Sequence, residues 1–209
     1  RIRYIRTQKK ADVGLVECGG TIGDIEGLPF FEAFRQIRLE GGLHNTVFVH
    51  VPLVPILDIT KEQKSKPAQH SIQELRRIGL QPDLIVARCR TMLSKEVQAK
   101  IALFGSVEND AVFASPNVET IYQLPLTLDQ QGFGNIISNK LNLPQRTPEW
   151  KPWNSIVDEF LHSTPNIHIA VCGKYTKLAD SYISINEALK IAAAVCQSAI
   201  HIDWIETET

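Results

Sequence analysis

Three acidic side chains and four glycines stand close together in residues 13–26 of this chain, VGLVECGGTIGDIE. The apolar residues 13–16 predict a short buried strand that ends at Glu17, and Asp24 and Glu26 follow the glycines. In an open α/β sheet, ligands bind beyond the carboxyl ends of the strands. We therefore expect the three acids to converge at one strand end and to bind magnesium and a nucleotide there. A tight strand-to-helix turn, with Asp24 and Glu26 as helix-capping acids, explains the same pattern equally well.

The second candidate site is the segment KSKPAQ, residues 64–69, which leads into a helical pattern. Lys64 and Lys66 supply positive charge, and Pro67 suits the first turn of a helix. The start of a helix adds unpaired N–H groups and the positive end of its dipole, so the segment could hold an anion. Lysine pairs are also common in solvated surface loops, and the charge pattern alone favours that second interpretation.

Strand and helix patterns alternate along the chain, as expected for a doubly wound α/β sheet. Helical spacing of apolar residues predicts the helices, with Ser94 as an N-terminal cap and Gly79 as a C-terminal cap. His50 lies inside an apolar strand, which indicates a core residue rather than a catalytic one. Tryptophans on the helical face of residues 150–161 indicate packing. Apolar and β-branched runs predict strands at 46–55, 83–89, 111–114, 167–172 and 200–205.

The composition of the 209 residues excludes several classes of protein. A net charge of −1 with charges of both signs mixed along the chain argues against a general nucleic-acid or membrane-surface binder. The four cysteines are far apart and lack metal-ligand spacing, so we expect buried thiols in a reduced protein. No apolar run reaches transmembrane length and no signal peptide is present, so we expect a soluble, cytoplasmic protein. Neither end resembles a domain terminus, which suggests part of a longer chain.

Two long motifs, VECGGTIGDIEGLPFFEAFRQ and EQKSKPAQHSIQELRRIGLQPD, closely resemble the amidoligase domain of the CTP synthase family. The likeness extends less sharply from about Ile2 to the last residue. It implies a P-loop-NTPase-like Rossmann fold, a three-layer α/β/α structure with a mostly parallel sheet, over residues 1–163. Residues 164–209, where VCGKYTKLADSYISINEAL stands, resemble the first βα unit of a class I glutamine amidotransferase domain.

The resemblance also implies ligands for individual residues. Glu17 would bind Mg²⁺, and UTP or the inhibitor CTP would share one pocket and one triphosphate cradle. Lys100 would reach the triphosphate from another subunit of a homotetramer. Serine and alanine stand at two positions of the cradle where the family often has threonine, which excludes a hydroxyl contact at the alanine. The UTP/CTP residues would be Asp24, Ile25, Glu26, Lys64, Ser65, Lys66, Pro67, Ala68, Gln69 and Lys100, and the ATP residues Arg88, Asn117 and Val118.

Some of the family's catalytic parts have no counterpart in these residues. No G-x-x-x-x-G-K-[ST] phosphate loop is present, and no Cys-His-Glu arrangement for glutamine hydrolysis is recognisable. Cys172, Cys196 and His201 are therefore expected to pack in a core, since His201 has no partner carboxylate at the family's spacing. The implied enzyme uses ATP to phosphorylate the uracil O4 of UTP and ammonia from glutamine to replace that phosphate. A dethiobiotin-synthetase-like P-loop ligase and a non-catalytic oligomerisation module are the alternatives.

Overall fold

The computed structural model describes residues 2–178 and 180–207. They form two compact units, Arg1–Pro116 with Gly132–Gln145, and Asn117–Gln131 with Arg146–Thr209. The division predicted from the resemblance, 1–163 and 164–209, stays a prediction. The helices are α1 (Ile2–Lys9), α2 (Leu28–Gly41), α3 (Lys66–Arg77), α4 (Lys95–Gly105), α5 (Leu124–Gln130), α6 (Phe133–Lys140), α7 (Lys151–His162) and α8 (Ile183–Val195). The strands are β1 (Val49–His50), β2 (Leu53–Val54), β3 (Leu84–Cys89), β4 (Val112–Ser115), β5 (Pro165–Gly173) and β6 (Ala199–Glu206).

The first unit is built on a parallel sheet with β3 at its centre. His50 of β1 and Val112 of β4 both pair with Ile85, so these two strands flank β3 on opposite sides. β2 continues the β1 side, with Leu53 opposite Arg88. The sequence predicts one strand over 46–55, and the structure divides it into β1 and β2 around a proline, which has no N–H to donate to a ladder.

Helices cover both faces of this sheet. On one face, Ile72 of α3 and Ile101 of α4 are fully buried against the apolar side chains of β2, β3 and β4. Burying one such side chain stabilises the fold by about 1.5–3 kcal/mol. On the other face, Phe133 of α6 meets Phe113 edge-on, with ring centroids 5.0 Å apart. The predicted three-layer α/β/α arrangement with a mostly parallel sheet is confirmed.

The β1–β2 side forms an edge of the sheet in the described residues. Its side chains alternate, as expected for the two-residue period of a strand. Val49, Val51 and Leu53 are exposed, at 39%, 61% and 58% of their full area. His50 points the other way and is buried, and its Nε2 lies 2.9 Å from the Ser71 hydroxyl of α3. Burial lowers the pKa of His50 to about 4, which agrees with the predicted core role.

The strand predicted at residues 13–16 is wrong. These residues have no strand pairing, and Leu15 is 97% exposed. A buried parallel strand needs a neighbouring strand to pair with its N–H and C=O groups. Among the described residues no strand lies alongside this segment, so its apolar composition does not lead to burial.

The second unit contains a parallel β5–β6 pair connected through α8. The strands predicted at 167–172 and 200–205 are confirmed. Tryptophan packing is also confirmed, because Trp153 Nε1 donates to the carbonyl of Tyr122 at 2.7 Å and the Tyr122 ring stacks on Phe160. No helix in the described part of the chain is long and apolar enough to cross a lipid bilayer.

Candidate functional site

The first unit carries an open groove with a volume of about 980 Å³. Its walls come from the loop before α3, from the connection between β3 and α4, and from α4 itself. The groove is lined by four of the residues predicted to hold the UTP triphosphate, Lys64, Ser65, Lys66 and Gln69, and also by Lys100. The structure therefore brings Lys100 into the same groove as the loop of its own chain, without a second subunit.

The loop is held in place by the helix it precedes. Lys66 is the first residue of α3, as predicted, with Pro67 in the first turn. Gln69 is buried, and its Nε2 donates to the Ser65 hydroxyl at 2.9 Å. Ala68 is fully buried in the core beneath the loop. The side chain of Ala68 thus cannot reach a ligand in the groove.

Lysines outnumber acids on the walls of the groove. Lys61 joins Lys64, Lys66 and Lys100, and two glutamates oppose these four lysines. Lys64 Nζ lies 2.6 Å from Glu62 and Lys100 Nζ lies 2.6 Å from Glu96. The hydrogen bond from Lys100 lowers the pKa of Glu96. The groove walls therefore carry a net charge of two positive units. This charge favours an anion with more negative charge than the single carboxylates of Glu62 and Glu96, which pair with Lys64 and Lys100.

The acid–glycine segment forms a turn rather than a ligand cluster. The N–H of Thr21 donates to a carboxylate oxygen of Asp24 at 3.2 Å, and the N–H of Asp24 donates back to the carbonyl of Thr21. Gly20 and Gly23 have φ values of 87° and 103°, a region that favours glycine. A turn is present, as in the second interpretation, but no strand precedes it in the described residues and the Asp24 side chain makes no helix-capping hydrogen bond.

The expected convergence of the three acids is wrong. Glu17, Asp24 and Glu26 are all exposed, and they are not among the groups of potential metal ligands that the described residues bring together. The strand that was to place Glu17 at a sheet end does not form, and the Asp24 carboxylate serves the turn. Ile25 is 83% exposed on a single turn of 3₁₀ helix.

The residues predicted for ATP lie in different units. Arg88 of the first unit donates to the carbonyl groups of Cys89 and Ser115 at the ends of β3 and β4. Asn117 and Val118 belong to the second unit and line a small cavity of about 410 Å³.

Two cysteines and a histidine predicted in the core are exposed instead. Cys172, Cys196 and His201 all face solvent in the described structure. Cys172 and His201 lie on an uncovered face of the β5–β6 pair, and Cys196 follows the last residue of α8. His201 Nε2 lies 3.2 Å from a carboxylate oxygen of Asp203 on the same strand. With His168 opposite it, His201 belongs to the one group of at least three possible metal ligands found in the described residues.

Sequence reasoning missed part of the groove. Lys61, with φ at 56°, belongs to the same lysine-rich stretch, and that enrichment was the available signal. Gln63, Thr91 and Met92 carry no such signal, because their place on the wall depends on how the two loops meet in the fold.

The helices and the parallel strands make this a mixed α/β protein with a mostly parallel sheet. A family model described as CTP synthase N-terminus matches residues 1–143. The chain is 50% identical over 206 residues to a CTP synthase of Sulfurisphaera tokodaii, covering 99% of this chain and 39% of that protein. It is 46% identical over 206 residues to one of Thermococcus gammatolerans, covering 99% of this chain and 39% of that protein, and 47% identical over 208 residues to one of Pyrococcus furiosus, covering 100% and 38%.

This chain belongs to the CTP synthase family, whose members are ligases of pyrimidine biosynthesis. It spans about two fifths of the length of the relatives it matches. The family match sets aside the dethiobiotin-synthetase-like alternative.

Proposed function

We propose that the groove holds the triphosphate of UTP in an enzyme that makes CTP. The observation that carries this proposal is the convergence of Lys64, Lys66 and Lys100 on one groove beside the start of α3. Three ammonium groups and the N–H groups at a helix start match a chain of three phosphates in charge and in hydrogen-bond donors. Gln69 and Ser65 line the same wall, and CTP, with the same triphosphate, competes for it.

The finer roles implied by the family extend this proposal. Asp24, Ile25 and Glu26 would line the pyrimidine pocket, and Arg88, Asn117 and Val118 the ATP side. The reaction would transfer the terminal phosphoryl group of ATP to the uracil O4 of UTP, after which ammonia derived from glutamine displaces phosphate at C4. Residues 164–209 would begin the glutamine amidotransferase domain, and the enzyme would be a cytoplasmic homotetramer.

Glu17 is the residue we propose for Mg²⁺. Its carboxylate is exposed, and Mg²⁺ is commonly held by one or two carboxylates while phosphates and waters complete the shell. A single acid therefore fits the ion, although the described residues do not offer the three acids first expected. When bound, Mg²⁺ would offset the negative charge of the transferring phosphoryl group.

A direct test is CTP formation by the full-length protein, measured with UTP, ATP and either glutamine or ammonia. We expect turnover with both nitrogen sources, and turnover at low UTP about 10- to 150-fold lower when Lys66 is replaced by alanine. The 209-residue chain alone should make no CTP, because no ATP phosphate loop is present in its sequence. CTP formation by the 209-residue chain alone would refute the prediction that the reaction needs an ATP phosphate loop that this chain lacks. Absence of CTP from the full-length protein would refute the proposed function and favour a non-catalytic module.

A further inference from the structure

Gln63 connects the two walls of the groove through its side-chain amide. Its Oε1 accepts a hydrogen bond from the N–H of Ser94 at 2.9 Å. Its Nε2 donates to the carbonyl of Met92 at 2.8 Å and to the hydroxyl of Thr91 at 3.2 Å. One side chain therefore joins the lysine-bearing loop to the whole connection between β3 and α4.

The position of that connection decides where α4 begins. Ser94 is the N-terminal cap of α4, and its hydroxyl accepts from the N–H of Val97 at 3.2 Å. Lys100 stands on the same helix, above the groove. Next to Gln63 in sequence, Lys64 donates its N–H to the carbonyl of Pro55 at 2.8 Å, which ties the loop to the sheet. Gln63 thus lies at the junction between the segment that carries Lys64 and the segment that carries Lys100.

We propose that Gln63 is a positioning residue that sets the spacing between the lysines of the loop and Lys100. A polyphosphate chain that contacts both walls needs that spacing to be fixed before it binds, because ordering the walls on binding costs affinity. This inference rests on the proposed function, since it assumes that UTP is the occupant. It assigns to Gln63 no contact with the ligand itself.

The same hydrogen bonds could instead serve only the stability of the fold, and Gln98 provides the matched control. The amide of Gln98 donates to the carbonyls of Asn109 at 3.0 Å and Val112 at 2.8 Å. It lies on α4 as Lys100 does, yet it is not among the residues that line the groove. Gln98→Ala therefore removes a comparable set of hydrogen bonds away from the groove walls.

The experiment is calorimetric titration of the full-length protein with UTP at low ionic strength. We expect Gln63→Ala to bind UTP about tenfold more weakly, below the loss from removing a phosphate-binding lysine. Gln98→Ala should lower the melting temperature and leave UTP affinity within about twofold. If Gln63→Ala does not fold, Gln63→Met replaces it, since methionine has a similar length and lacks the amide.

A double-mutant cycle with Lys100 separates positioning from general stability. If Gln63 acts by placing Lys100 opposite the loop, Gln63→Ala should lose most of its effect in a Lys100→Ala background. Equal weakening in both backgrounds, or normal UTP affinity in Gln63→Ala while Lys66→Ala binds weakly, would overturn the inference and leave the proposed function intact. Normal UTP affinity in Lys66→Ala would instead overturn the proposed function.

Discussion

Replacing the lysines of the groove with alanine tests the proposed triphosphate site most directly. A charge-assisted hydrogen bond to phosphate contributes about 1.5–3 kcal/mol. Lys66→Ala should therefore weaken UTP binding about 10- to 150-fold. Lys66 starts α3, where a positive charge opposes the helix dipole, so its removal should not destabilise the fold. The change in affinity should thus report the lost ligand contact alone.

Lys64→Ala should differ from Lys66→Ala because Lys64 is paired in the free protein. UTP must displace Glu62 from Lys64, which reduces the benefit of the lysine. Removing Lys64 also leaves the Glu62 carboxylate on the groove wall, where it repels a phosphate about 4 Å away by roughly 1 kcal/mol in water. We therefore expect the double variant Lys64→Ala/Glu62→Gln to recover part of the affinity that Lys64→Ala loses.

Isothermal titration with UTP, CTP and ATP measures these effects, and Lys95→Ala is the matched control. Lys95 is exposed on the first turn of α4 and lies outside the set of residues that line the groove. CTP affinity should fall in parallel with UTP affinity, because the two ligands share a triphosphate. ATP affinity in the full-length protein should change little. Unchanged UTP affinity in Lys66→Ala and Lys64→Ala would return the segment to an ordinary surface loop, where a solvated lysine contributes at most about 1 kcal/mol.

Three further changes test other parts of the structure. Glu17→Gln in the full-length protein should lower CTP formation by orders of magnitude while the melting temperature stays unchanged, and near-normal turnover at saturating Mg²⁺ would refute the metal role. Gly105→Ala places a Cβ in steric clash with Ile85 Cδ1 and should destabilise the first unit by about 1–3 kcal/mol. Gly14→Ala, with open space around it, should leave the melting temperature unchanged. Burial lowers the pKa of His50 to about 4, so His50 stays neutral in the folded state at pH values where it is protonated in the unfolded state. Up to about 3 kcal/mol of stability present above pH 6.5 should therefore be lost between pH 6.5 and 4. His50→Gln should reduce this loss, as measured by urea titrations.

Features set by neighbouring residues were predictable from the sequence. Ser94 caps α4 through a hydrogen bond to a residue three positions later, and Gly79 ends α3 with φ at 86°, as the residue types indicate. These interactions need only a few consecutive residues. The order of strands and helices followed from the same local patterns.

Features set by distant residues were not predictable in the same way. The burial of residues 13–16 depends on a partner strand, and apolar composition does not supply one. The position of Lys100 beside the lysine-bearing loop before α3 depends on the packing of α3 against α4. The sequence alone therefore did not place Lys100 and this loop in one groove of the same chain. The exposure of His201 and Cys172 depends on what covers their face of the β5–β6 pair.

The exposed edge of the first sheet has a consequence for handling the isolated chain. Val49, Val51 and Leu53 present apolar side chains beside backbone groups that face outward from β1 and β2. Such an edge can pair with the same edge of a second molecule and begin aggregation. Light scattering of the purified chain should therefore rise with protein concentration. Val51→Lys, on the exposed side of the pleat, should keep the solution clear without changing UTP affinity.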